Sequence, residues 1–220
     1  MNILLNNNIV DWVFDLDNCL YPFDNGLYEH INHRMNQYII DHCEIFPDQV
    51  DQTRRKYINT YGNTLLGLML HHQVKPDHFL ELVHDFPLEP FVQEDPSLIE
   101  FIQNNMKGRL YIFTNAPGFY AKKILAQLNI LDKVHDIYDI HFTSYQGKPH
   151  SSAFEKVIAH AGLNPQSCLF VDDMKKNVLA AEKVGFNVAH IDTSISYKNN
   201  YYIDLFIPTV LQCYEKRACQ

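Results

Sequence analysis

The stretch Ile9-Val10-Asp11-Trp12-Val13-Phe14-Asp15-Leu16-Asp17-Asn18-Cys19-Leu20-Tyr21-Pro22 runs mostly apolar up to Phe14, sets two aspartates one residue apart, and then turns away. Its β-branched and aromatic residues fit a buried strand. Two carboxylates at the mouth of such a strand are expensive to bury and repel each other. The pair therefore implies a bound cation, a shared proton or catalysis.

Working outward, short apolar runs alternate with helix-length segments in the second half of the chain. The runs are Arg109 to Thr114, Ile137 to Phe142, Cys168 to Asp172 and Asn187 to Ile191. Helices are expected over Pro117 to Leu128, Pro149 to Ala161 and Met174 to Val184; proline suits a first helical turn, and Gly162 and Gly185 stand where C-caps belong. This order predicts an α/β fold, a Rossmann-like parallel sheet with helices on both faces. Residues 25–85 differ, because their apolar positions recur only with helical period, as in Leu27-Ile31-Met35-Tyr38 and Phe79-Leu80-Val83. An all-helical block bounded by Tyr21-Pro22 and by the proline-bearing stretch from Pro87 to Pro96 reads as an insertion. The expected division is a core of residues 1–20 and 96–220 with a helical subdomain at 21–95. An edge strand is expected near Tyr201 to Asp204, and a last helix from about Pro208.

At 220 residues the chain can bury one good core, and 46% hydrophobic content is ordinary for a folded protein. The net charge of −8 and the lack of any basic block give a nucleic-acid polymer nothing to grip. The apolar stretch Leu65 to Leu70 is too short to span a bilayer, so no membrane partner is expected. Met1 to Asn8 shows neither the basic nor the apolar region of a secretory signal. Cys19, Cys43, Cys168, Cys213 and Cys219 are odd in number and include no C-x-x-C, which suits reduced thiols and a cytoplasmic location. No feature of the sequence sets an oligomeric state.

Ligands of open parallel sheets bind at the carboxyl ends of the strands. There this sequence places Asp15 and Asp17, Thr114-Asn115, the loop residue Lys148, and Asp172-Asp173. Four aspartates against one lysine leave a surplus of negative charge before any anionic substrate arrives, so a divalent cation is expected. Carboxylate oxygens without nearby Cys or His ligands favour Mg²⁺ over zinc. The remaining negative charge should raise one aspartate's pKa and keep it protonated. Taken singly, each group has a plainer role: Asp15 and Asp17 in a turn, Asp172-Asp173 at a helix N-cap, Lys148 on the surface.

Phe14-Asp15-Leu16-Asp17-Asn18, Phe113-Thr114-Asn115, Lys148-Pro149 and Phe170-Val171-Asp172-Asp173 resemble, in order and spacing, the four motifs of the haloacid dehalogenase superfamily of phosphatases. The helical insertion is similar to that superfamily's cap. Asp15 to Pro22, and Tyr61-Gly62 followed by Leu66-Gly67-Leu68, are similar to its pyrimidine 5′-nucleotidase branch. The resemblance implies that Asp15 attacks phosphorus and becomes an aspartyl phosphate, while Asp17 protonates the leaving alkoxide and later activates water. It implies Mg²⁺ held by Asp15, Asp173 and the Asp17 main-chain carbonyl, with Asp172 orienting that shell. Thr114, the Asn115 N–H and Lys148 would bind the phosphoryl group. The substrate implied is a small phosphomonoester, best a pyrimidine nucleoside 5′-monophosphate. Alternatives are pyridoxal phosphate, phosphoglycolate or a sugar phosphate as substrate, a phosphomutase, a 2-haloacid dehalogenase, or a binding protein that retains the fold without turnover.

Cys19 departs from the threonine or valine usual in the family and reads as packing. Leu66 stands where the nucleotidase branch commonly has arginine, which removes a bidentate donor from that position. Tyr28, Tyr57 and Tyr61 are the aromatic candidates for stacking on a base. His30, His33, His71, His72, His78 and His84 show no metal-ligand pattern and read mostly as surface residues, one of which could touch a substrate base.

Overall fold

The structure is a computed structural model that describes residues 9–198 and 200–210. Five strands form one fully parallel sheet in the order β3-β2-β1-β4-β5. They are β1 (Asp11–Phe14), β2 (Arg109–Phe113), β3 (Val134–Tyr138), β4 (Cys168–Asp172) and β5 (Asn187–His190). Helices α1 (Leu27–His42), α2 (Val50–Tyr61), α3 (Thr64–His72) and α4 (Pro76–His84) follow β1, and α5 (Pro96–Asn105) leads into β2. The crossovers then carry α6 (Gly118–Gln127), α7 (Ser151–Ala161) and α8 (Lys175–Lys183). From β1 the chain builds outward to one side through β2 and β3, then returns to build the other through β4 and β5. The direction reverses beside β1, and a crevice opens there at the carboxyl ends of the strands.

Side chains alternate across a strand, and here both alternate sets are apolar because helices cover both faces. Trp12, Phe14, Leu110, Ile112, Leu169 and Val171 pack with α5, α6 and the aromatic residues near 201–206. Val13, Tyr111, Phe113, Cys168 and Phe170 pack with Phe154 and Val157 of α7 and Ala181 of α8. Each such fully buried large side chain contributes about 1.5–3 kcal/mol. The first cluster continues without a break into Leu27, Ile39, Leu68 and Phe79, so α1 to α4 share one core with one sheet face.

Asp11 is the exception in an apolar strand. It pairs in register with Arg109, whose Nε and Nη2 donate to its two carboxylate oxygens at 2.8 and 2.7 Å. This fork satisfies a carboxylate that is only 3% exposed and fixes β1 against β2 at the end away from the crevice.

Two expected elements differ. The third strand ends at Tyr138 rather than continuing to Phe142, because Asp139 folds the chain back by accepting from the N–H groups of Phe142 and Gly118 at 2.9 and 2.8 Å. Ile140 is buried within that turn, which is why the run looked like strand. The expected edge strand at Tyr201 to Asp204 is helical, with a π-helical turn over Tyr202–Phe206. The aromatic residues that suggest strand instead pack on the sheet face, and Tyr201 and Tyr202 donate to the carbonyls of Cys19 and Leu20 at 2.7 and 2.8 Å. The start of the last expected helix, Pro208, is helical. Its continuation past 210 lies outside the described residues, as do Cys213 and Cys219. No helix among the described residues is long and apolar enough to cross a membrane.

Candidate active site

Extension of β1 by one residue delivers Asp15, whose N–H donates to the Val171 carbonyl at 2.8 Å, and β4 delivers Asp172 beside it. Lys148 lies between them. Its Nζ is 2.7 Å from Asp15 Oδ1 and 2.6 Å from Asp172 Oδ2, and the side chain is 1% exposed. The rings of Phe113 and Phe170 flank the ammonium at 5.3 and 5.4 Å, from the sheet face under α7. Asp172 is fully buried and fully bonded: Oδ1 accepts from the Met174 N–H at 2.8 Å, and both oxygens accept from Asn177 Nδ2. It thus holds the turn that leads into α8 and anchors the cluster, whereas the helix itself follows Met174 without a side-chain cap.

Asp17 is held apart from this group. Its Oδ1 accepts from Tyr21 Oη at 2.6 Å and from Tyr120 Oη at 3.1 Å. Thr114 is 1% exposed and its Oγ1 accepts from the Ala116 N–H at 3.0 Å, shaping the loop after β2. Asn115 has a task that its sequence position did not reveal. Its Oδ1 accepts from the Lys148 N–H at 2.8 Å and its Nδ2 donates to the Lys148 carbonyl at 2.9 Å, so a side chain clamps the backbone that carries the lysine. The neighbouring Gly147 has φ +63°, and a Cβ there would come within 2.4 Å of Asn115 Oδ1.

Burial raises Asp15 well above the ordinary carboxylate range, with Asp172 adding to the effect and Lys148 opposing it. Burial likewise pushes Asp173 up to about 7, assisted by Asp172. Asp17 is raised by burial while its two tyrosine donors pull it back. Burial alone would lower Lys148, but Asp15 and Asp172 outweigh it and keep the ammonium charged. Asp15, Asp172 and Asp173 each place a carboxylate oxygen within 4.8 Å of the others. An all-carboxylate set strained by its own charge fits a hard divalent cation.

A family model for haloacid dehalogenase-like hydrolases matches residues 13–185, well over half of the chain and spanning every group just described. The chain belongs to the haloacid dehalogenase-like hydrolases. Among curated proteins it is 24% identical over 203 residues to Phosphate metabolism protein 8 of Saccharomyces cerevisiae, covering 84% of this chain and 63% of that protein. Among solved structures, a haloacid dehalogenase-family phosphatase from Thermococcus onnurineus aligns with TM-score 0.57 at 17% identity, over 87% of this chain and 90% of that one. The protein YfnB of Bacillus subtilis, described as bound to magnesium, aligns with TM-score 0.55 at 16% identity over 86% of this chain and 91% of that one.

A cavity of about 220 Å³ leads from Asp17 and Asn115 up between the helices that follow β1. Arg54, His84, Asn32 and Tyr28 supply its polar wall, and Ile31, Met35, Phe79 and Leu80 its apolar one. The turn between α2 and α3 docks onto the sheet side of the cavity. Lys176 Nζ donates to the Gly62 carbonyl at 3.0 Å, and Asn63 Nδ2 donates to the carbonyls of Tyr145 and Gln146 at 3.1 and 2.9 Å. Gly62 has φ +89°, and a Cβ there would lie 2.9 Å from His150 Nε2.

Of the aromatic candidates only Tyr28 lines the cavity; Tyr57 and Tyr61 instead bond His72 and His71 at 2.8 and 2.7 Å. Leu66 does not line it either. The guanidinium in the wall comes from Arg54 of α2, held by the Oδ1 atoms of Asn32 and Asn36 at 2.6 Å each. Cys19 is buried, with its thiol 3.7 Å from the Val171 carbonyl, in keeping with a packing role. Sequence reading missed Tyr120, Asn177, Arg54 and Lys176, and did not single out His84, which is 5% exposed, from the histidines that it read mostly as surface. Tyr21 stood inside the decisive stretch. The others are polar residues on four different helices, and only the chain's folding reveals what they face.

Proposed function

We propose that this hydrolase is a Mg²⁺-dependent phosphatase of small organic phosphomonoesters, and that residues 21–95 form a helical cap over a core of residues 1–20 and 96–220. The observation that carries this reading is the split between the two leading aspartates. Asp15 sits against the Lys148 ammonium in the charged cluster, whereas Asp17 is turned onto two tyrosine hydroxyls at the floor of the cavity.

In this reading Asp15 attacks phosphorus and forms an aspartyl phosphate, with Lys148 neutralising charge on both partners. Asp17 gives a proton to the departing alkoxide and takes one from water in the second half-reaction, and its raised pKa suits both tasks. Tyr21 and Tyr120 occupy Oδ1 and so leave Oδ2 to meet the leaving group. Thr114 and the Asn115 N–H hold phosphoryl oxygens, and Asn115 also fixes Lys148. Asp15, Asp173 and the Asp17 main-chain carbonyl would hold Mg²⁺, with Asp172 behind them, and the ion would supply positive charge to a phosphoryl oxygen. These groups do what phosphoryl transfer asks of a protein, which is positioning and charge stabilisation. Dehalogenation has no use for a proton carrier at Asp17, and every acidic position that turnover needs is filled.

The best single substrate is a pyrimidine nucleoside 5′-monophosphate. Support comes from the resemblance of Tyr61-Gly62 and Gly67-Leu68 to that branch and from a cavity that faces the Arg54 guanidinium with an apolar wall. Phosphate release from UMP, CMP, pyridoxal phosphate, phosphoglycolate and sugar phosphates, measured with Mg²⁺ and with chelator, tests the reading. Chelator should abolish release, and Asp15→Asn should be inactive. Chelator-insensitive release, or full activity in Asp15→Asn, sinks it.

A further inference from the structure

His84 closes α4, is 5% exposed, and lines the same cavity as Asp17. Its Nδ1 lies 3.0 Å from the Leu80 carbonyl oxygen. A carbonyl only accepts, so Nδ1 carries the ring proton and Nε2 presents a lone pair. Nε2 has no hydrogen-bond partner among the described residues. An acceptor on a cavity wall without a protein partner finds its explanation in what fills the cavity.

The placement of the ring narrows that explanation. Its centroid is 5.0 Å from that of Tyr120, whose hydroxyl is 3.1 Å from Asp17. The ring therefore stands beside the tyrosine that holds Asp17, on the wall of the same cavity. Burial, with Arg34 nearby adding to it, holds the imidazole down to about 4, so it stays an uncharged acceptor at neutral pH. Such a group accepts from a hydroxyl or N–H and repels a carboxylate, which offers only lone pairs.

We propose that His84 is a specificity-determining residue, whose Nε2 accepts a hydrogen bond from the leaving group and so selects phosphate esters of hydroxylated small molecules, such as sugars and ribonucleosides, over carboxylate-bearing ones. This rests on the phosphatase reading above. Removing the substrate's donor takes away the partner that Nε2 would gain, which discriminates against deoxygenated analogues.

The test compares kcat/KM in Mg²⁺ for UMP against dUMP, and for glucose 6-phosphate against 2-deoxyglucose 6-phosphate. N3-methylated UMP separates a base N–H from a ribose hydroxyl, and phosphoglycolate and p-nitrophenyl phosphate complete the panel. For the better pair the wild type should favour the hydroxylated member by about 10-fold or more. His84→Phe should bring that ratio close to one, and His84→Gln, which keeps one donor and one acceptor, should recover part of it. The Gln variant also serves where the Phe variant fails to fold.

A ratio unchanged in the variants, an equal loss on every substrate, a methylation penalty with no hydroxyl preference, or phosphoglycolate as the best substrate overturns the proposal while leaving the phosphatase reading intact. No phosphate release from any member of the panel by the wild type overturns that reading and the proposal with it.

Discussion

His84 makes a prediction about stability that is independent of catalysis. Its folded-state pKa is lowered from the usual 6.5 to about 4, chiefly by burial. Between those values the unfolded chain takes up a proton that the folded chain refuses, so stability is full above pH 6.5 and is lost as pH falls toward 4. A gap of about 2.5 pH units corresponds to about 3 kcal/mol once pH is below 4, of which about 2 kcal/mol is already lost at pH 5. His84→Phe removes this contribution. Urea denaturation of wild type and variant, each at pH 7.5 and pH 5.0 in chelator, gives the double difference. The variant should gain about 2 kcal/mol relative to the wild type on going to pH 5.0. The comparison is needed because Asp173, pushed up to about 7, works in the opposite sense in both proteins. A double difference below about 0.5 kcal/mol would show that the imidazole titrates as an exposed group does, and the account of the cavity wall would be wrong.

Lys148→Met should lower stability by about 3–5 kcal/mol at pH 7.5 in urea titrations, because Asp15 and Asp172 lose a buried cation. The same variant should reduce phosphate release by about 100-fold or more in a saturating assay. Tyr21→Phe removes one of two donors to Asp17 Oδ1 and should lower kcat by about 10-fold with a smaller change in KM, the double variant with Tyr120→Phe losing more. Steady-state kinetics on one substrate decides this. Arg109→Ala strands the Asp11 carboxylate and should cost about 1–3 kcal/mol in denaturant titrations, tempered because the guanidinium is 40% exposed, while kcat/KM stays within error.

The parallel sheet was legible because each crossover carries its own punctuation, from the apolar run of β4 to Gly185 after α8. The charged cluster was legible because its members end strands or sit in the loop that follows one, where the fold brings distant positions together. What misled was local preference overruled by packing. Tyr201 and Tyr202 favour strand by type but fill the face beside β1 from a helix, and Ile140 continues an apolar run that Asp139 bends. The cavity wall was not legible, because Arg54 and His84 lie on different helices, with no spacing rule to link them. That Asn115 clamps Lys148 depends on a loop geometry set by Gly147, which sequence alone does not specify.

In the mechanism proposed above, Asp15 becomes covalently phosphorylated during turnover. Rapid acid quench of enzyme mixed with Mg²⁺ and its best substrate, followed by peptide mass spectrometry, measures this directly. The account predicts a transient phosphoryl adduct on Asp15, none on Asp17, and no adduct in Asp15→Asn. Full turnover with no adduct at any quench time, or an adduct on a different side chain, would contradict it.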